Sequence, residues 1–254
     1  MTIETLILSA AMAAAAGLLG CFAVMRRMAL AGDALSHVAL PGIGIALALH
    51  VHPVFGATAM LFLGAWIVWA IEDRSRLATE TIIGVIFSAA LAVGSLVTSG
   101  EDLIEALFGG AGPPSRLETV FGLVAAAAVA MFVWSRKNAL VITLVSPDIA
   151  LTEGINVRRL NLLYLEMFAL TVALGLRYLG VLLMGSLIII PAATAKRLSS
   201  SLNQMLANAV IIAVAVTIAG SAIAAALHRA TGPLIVSLAA AGFFLSFLRD
   251  EQQS

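Results

Sequence analysis

Charge is what this 254-residue chain has least of: 11% of its residues are Asp, Glu, Lys or Arg, against about 25% in soluble domains. Its 14 basic residues balance 14 acidic ones. That excludes the basic surface that nucleic-acid binding requires and the high net charge of disordered chains. A single cysteine, Cys21, excludes an intrachain disulfide and a cysteine metal cage. No G-x-x-x-x-G-K-S/T phosphate loop occurs, nor any other nucleotide-binding or catalytic motif. If the protein pumps, the energy arrives from another chain or from an ion gradient. The start of the sequence also reads against a cleavable leader. Leu18-Leu19-Gly20-Cys21 looks like a lipoprotein cleavage box, but Met1–Thr5 holds no Lys or Arg, and Arg26-Arg27 follow the apolar run instead of preceding it. That order describes a first span that stays in the membrane.

What is present is apolar side chain. The residues A, V, I, L, M, F, W, Y and C make up 61% of the chain, and mean hydropathy is +1.07. A soluble globule of this size could not bury so much, because most of a small protein is surface. The class is all-α, a polytopic helical membrane protein. A crossing helix takes about 20 apolar residues. Runs that meet or approach this are 6–25, 33–50, 54–71, 80–98, 117–134, 161–178, 180–195, 207–227 and 232–248. This gives about nine spans, with eight as the alternative. Runs 180–195 and 232–248 are short and suit broken or tilted helices packed inside protein.

Basic residues set the direction. Nine spans with the N-terminus outside and the C-terminus in the cytoplasm put Arg26, Arg27, Arg74, Arg76, Arg136, Lys137, Arg158, Arg159, Lys196, Arg197 and Arg249 on the cytoplasmic side. Only Arg116, Arg177 and Arg229 fall outside. No internal repeat or low-complexity tail interrupts the chain, so residues 1–254 read as one membrane domain. Gly84, Ser88 and Ala92 recur at four-residue spacing, as do Gly44 and Ala48. Such spacing lets helix backbones approach closely, and ordinary packing within one subunit accounts for it as readily as a dimer seam.

Ionisable groups at membrane depth mark pathways. Asp33 and His37 are four residues apart, so a helix stacks carboxylate over imidazole on one face. Those two donors suit a borderline divalent cation such as zinc or manganese. One pair is too few for a closed site; two copies about a two-fold axis would supply four ligands. A salt-bridged pair steadying a helix start is the competing account. Pro41 has no N–H and leaves the His37 carbonyl without its helical partner, so a kink, or an extra oxygen facing the pathway, is expected there; Pro41 and Pro191 are read as helix breaks near the pathway. His50 and His52, at the outer end of the second span, either receive a metal at the mouth or close a tight turn before Pro53. Glu166 either lines the pathway or reaches the cytoplasmic interface. Glu101, Asp102 and Glu105 form an acidic outer segment, either a solvated face or a cation attractor.

The longest loop, 135–160, is cytoplasmic and contains a short helix. Ser146 suits its N-cap, Pro147 its first position, Asp148 its positive first turn and Gly154 its stop. A helix this short is marginal alone in water, so it docks on something, either this protein's own surface or a partner.

Four stretches carry a resemblance to a known family: Arg26–Ala39 (RRMALAGDALSHVA), Ser146–Gly154 (SPDIALTEG), Gly180–Arg197 (GVLLMGSLIIIPAATAKR) and Leu107-Phe108-Gly109. Together they run through nearly the whole chain. The chain resembles the membrane permease subunit of bacterial ATP-binding-cassette importers for zinc, manganese and related metals. The resemblance implies a homodimer in the bacterial inner membrane, not itself an enzyme. Cytoplasmic ATPase subunits supply the energy, and an extracytoplasmic metal-binding protein delivers the ion. No cofactor is held permanently; zinc, manganese or iron is cargo. Asp33 and His37 fall on the family's gate and metal-contact pair. The segment with Ser146, Pro147, Asp148, Ala150, Glu153 and Gly154 falls on the part that seats in the ATPase. Glu166 matches nothing in the pattern. The rival readings are a gradient-driven carrier or channel for a small cation, and an ABC permease for a metal chelate. Carriers often show inverted repeats, none is seen here, and the capped loop helix has no job in a carrier; a chelate pathway would not need the Asp/His pair.

Overall fold

The structure, a computed structural model, describes residues 3–28, 30–75, 77–97 and 116–248, with side chains for all of these but 3 and 177–182. These residues form helices α1 (Ile3–Met25), α2 (Ala31–Ala48), α3 (Pro53–Glu72), α4 (Thr79–Val97), α5 (Arg116–Val145), α6 (Pro147–Thr152), α7 (Val157–Leu198), α8 (Leu202–Leu227) and α9 (Thr231–Leu245). No strand occurs among them. The acidic residues Glu101, Asp102 and Glu105, and the stretch Leu107-Phe108-Gly109, lie outside the described residues.

Small residues set the packing. α1 is the axis of the bundle and touches α5, α7 and α8. A Cβ at Gly17 would come 2.9 Å from the Ala209 carbonyl oxygen of α8, and one at Gly20 would run into the carbonyl of Ile188 on α7. α2 and α3 cross through Gly42 and Gly56, each of which would meet the other's carbonyl oxygen if it carried a side chain. Backbones this close gain dispersion contacts where lipid supplies no hydrophobic drive between helices.

The α7 helical run spans 42 residues, about 63 Å if straight, but it is not straight. Tyr164 donates its hydroxyl to the Leu19 carbonyl at 3.2 Å, while Ile188 lies against the next residue, Gly20. On a straight helix residues 164 and 188 would be about 36 Å apart. The Met184 side chain also lies over Gly175. The chain therefore turns back between Gly175 and Met184, and α7 is two antiparallel arms. Seven stretches are long and apolar enough to cross a membrane: those of α1 to α5, the Val157–Leu176 part of α7, and α8. The second arm and α9 are shorter, and they correspond to the two short runs of the sequence.

Two features differ from the sequence reading. Residues 135–145, read as loop, are the end of α5. Arg136 and Lys137 end the apolar run, yet the helix continues, because Leu140 is fully buried and Thr143 nearly so. Neither Pro41 nor Pro191 breaks its helix; each sits buried inside a helix that runs on for several residues. The neighbouring helices hold the backbone where one hydrogen bond is lost, as is common in membrane bundles.

One end of the bundle gathers many of the basic side chains. Arg158 pairs with Asp73 at 3.1 Å and lies over the Trp69 ring. Arg26 reaches Asn161, and Lys137 reaches Asn203. Arg197 lies over Phe247.

Candidate functional site

The turn between α1 and α2 places the Asp/His pair. α1 ends with Arg27 in the left-handed region, φ 60°. The Met28 N–H donates to the Ala23 carbonyl at 2.8 Å and the Arg27 N–H to that of Val24 at 3.3 Å. This closes the helix with the paired bonds of a Schellman motif and sends the chain back into the bundle. Gly32 then packs on Ile188, and Asp33 on Gly185. A Cβ at Gly185 would lie 3.1 Å from the Asp33 nitrogen and Cα. Gly185 is thirteen residues before the end of α7, about 20 Å along the second arm. Asp33 therefore lies level with a point about 20 Å from the C-terminal end of α7, although it opens the second apolar run.

Asp33 is exposed and His37 half-buried, one turn apart on the same face of α2. They form no ion pair with each other, so the salt-bridged account of the helix start does not hold. Ser36 donates its hydroxyl to the Asp33 carbonyl at 2.6 Å, which leaves the carboxylate free of that residue. The His37 ring stands 5.4 Å from Phe87 of α4, and its buried Nδ1 has no hydrogen-bond partner. An unpaired imidazole nitrogen beside an open carboxylate is a donor set waiting for a cation or a water. Among the described residues no three His, Cys, Asp or Glu side chains converge.

The small-residue stripe lies beside this pair. Gly84, Ser88 and Ala92 are exposed on α4, and a Cβ at Gly84 would meet nothing within 4 Å. Among the described residues, no side chain packs against this stripe at Gly84. Gly44, by contrast, is buried.

The other sequence-derived residues are dispersed. His52 caps α3, its Nδ1 accepting from the Val54 N–H at 3.4 Å, and its ring meets Phe55 edge-on. His50 has φ 55°. Both are exposed, and their geometry is that of a tight turn before Pro53. Glu166 is half-buried in the first arm of α7, with one carboxylate oxygen buried and unpartnered. It does not join the Asp33/His37 pair in a cluster of three.

The short helix is present where the sequence places it. Ser146 accepts from the Ile149 N–H, Pro147 is the first helical residue, and Gly154 has φ 73°. The Ile155 N–H donates to the Ala150 carbonyl at 2.9 Å and that of Gly154 to Leu151 at 3.1 Å, a second Schellman ending. Ala150 is fully buried, which anchors the helix on its own protein. Asp148, Ile149, Leu151 and Glu153 are exposed around it, a mixed apolar and acidic surface. Reading the sequence alone misses Arg26, Asn161 and Tyr164, which tie α1 to α7 at this end; only the pair Arg26-Arg27 stands out, and as a topology signal.

Residues 1–250 match the family described as ABC 3 transport family. The chain is 33% identical over 244 residues to the high-affinity zinc uptake system membrane protein ZnuB of Haemophilus influenzae, covering 92% of each chain. It is 29% identical over 254 residues to the manganese transport system membrane protein MntC of Listeria innocua, covering 98% of this chain and 91% of that one. Among solved structures it is similar to PsaBC from Streptococcus pneumoniae in complex with Fab, with TM-score 0.81 and 29% identity over 96% of this chain and 90% of that one.

Proposed function

This chain belongs to the ABC 3 transport family and is a permease of ABC metal importers, and we propose that it carries a divalent transition metal into the cytoplasm as one half of a homodimer. Zinc is favoured, with manganese and iron as alternatives. One imidazole for each carboxylate suits zinc, whereas manganese prefers oxygen-rich sets, and the relatives are named for zinc and for manganese. Family membership sets aside the gradient-driven carrier. A metal chelate would have no use for the Asp33/His37 donors.

The observation that carries this reading is the pair itself. Asp33 and His37 stand one turn apart on one face of α2, Asp33 exposed and His37 half-buried with its Nδ1 unpartnered. Two copies meeting across this face, with the α4 stripe beside it, would bring four donors to a shared axis. Contact there is transient, because a tight four-ligand site would hold the ion instead of passing it on. The permease holds no ATP site. ATPase subunits dock on α6, where Ser146 and Gly154 shape the helix, and Asp148, Glu153 and the exposed apolar residues meet the partner. An outer metal-binding protein delivers the ion near His50 and His52. The chain crosses about nine times, with the second arm of α7 and α9 as its short spans. Its N-terminus is outside, and the basic-rich end of the bundle lies in the cytoplasm of a bacterial inner-membrane protein.

Asp33→Ala and His37→Ala test the central claim. Each should abolish uptake while the dimer still folds and binds its ATPase. The measurement is metal uptake per folded dimer; a near-normal value in either variant refutes the assignment.

A further inference from the structure

Movement at α6 can influence metal passage only if something carries it to α2, and α2 is neither adjacent in sequence to α6 nor in extensive contact with it. The junction between α6 and α7 is short and fully capped. After the Schellman ending at Gly154 and Ile155, Asn156 caps α7 by accepting from the Arg159 N–H at 3.0 Å. With no slack in the connection, displacement of α6 is passed to the first turns of α7.

Those turns hold two arginine contacts. Arg158 pairs with Asp73, but that arginine is 57% exposed, and an exposed pair contributes little. Arg26 differs. It is half-buried, its Nη2 donates to Asn161 Oδ1 at 2.6 Å, and its guanidinium lies 4.6 Å from the Tyr164 ring centroid. Tyr164 is fully buried and bonded to the Leu19 carbonyl. Arg26 is also the residue before the left-handed Arg27, where α1 hands over to the turn that leads to Asp33. From that turn onward Gly32 and Asp33 rest on the second arm of α7.

We propose that Arg26 is a positioning residue: gripped by Asn161 and Tyr164, it ties the α6–α7 junction to the α1–α2 turn, so that movement of α6 repositions Asp33 and His37. The proposal rests on the transport reading above. Arg26 touches no metal in it. Its role is to keep ATP hydrolysis and metal movement in step.

The test uses the complete permease–ATPase complex in liposomes, with zinc uptake and ATP hydrolysis measured together. In Asn161→Ala and Arg26→Ala the complex should assemble and hydrolyse ATP. Zinc moved per ATP should fall about tenfold, the scale of losing one hydrogen bond to a charged group. The double variant should be no worse than the worse single one, because both remove the same contact. Arg26→Lys with Asn161→Asp should recover part of the loss by restoring a charged pair. Unchanged zinc per ATP in Asn161→Ala, or a proportional loss of hydrolysis and uptake, overturns the proposal. If Arg26→Ala does not fold, Asn161→Ala alone decides. A wild-type complex that hydrolyses ATP and moves no metal would instead refute the transport reading.

Discussion

Gly185→Ala probes the contact that places Asp33. The added methyl would lie 3.1 Å from the Asp33 nitrogen and Cα, and 3.2 Å from its Cβ. Carbon contacts are most favourable at about 3.5–4.0 Å, so α2 and α7 must separate by about 0.5 Å. Two of the three atoms are backbone, so no rotamer change relieves the overlap. Overpacking of this kind costs about 1–3 kcal/mol. Replacing a helical glycine by alanine returns about 1 kcal/mol. The net loss is small enough for the protein to fold, but the shift falls on Asp33. Displacing a reacting group by about 1 Å can cost about a hundredfold in rate, so half that distance should lower transport about tenfold. The assay is radioactive zinc uptake in cells, divided by the folded permease recovered by fluorescence-detected gel filtration. Gly242→Ala on α9 is the control, since its methyl would meet nothing within 4 Å; its uptake should be unchanged. If Gly185→Ala transports and melts like the wild type, the α2–α7 approach is not as close as the structure has it, and the account of how Asp33 is positioned fails.

Two further outcomes are expected. Gly154→Val should lose ATPase co-purification while the membrane domain still folds, because φ 73° costs a residue with a side chain about 1–2 kcal/mol and a β-branched one more; normal recovery of the complex would count against the docking role of α6. Single cysteines at Ser135 and at His228 should react with a membrane-impermeant reagent from opposite sides, Ser135 from the cytoplasm and His228 from outside. Background is low because Cys21 is fully buried, and the reverse pattern would invert the topology.

The sequence alone was enough for the class, for the positions of most helices, and for the α6 segment. Each of these rests on local physics. An apolar run in a chain with 11% charge has only the membrane to enter, and Ser146, Pro147 and Gly154 each act within a few residues of themselves. The four-residue spacing of Asp33 and His37 also fixed, before any fold was known, that they share a face of α2. Their setting was decided only by tertiary structure. The depth of Asp33 depends on Gly185, far away in sequence, and its freedom from His37 depends on how α2 lies against α4 and α7. The reversal of α7 is invisible to hydropathy as a contact, although the gap between two apolar runs marks it. The end of α5 could not be read past Arg136 and Lys137, because burial of Leu140 and not local charge holds that turn in the helix. At Pro41 and Pro191 the helix continues past the proline, because neighbouring helices hold the backbone where one hydrogen bond is lost. What a residue does to its own turn is written locally, whereas what it touches depends on helices brought together by small residues distant along the chain.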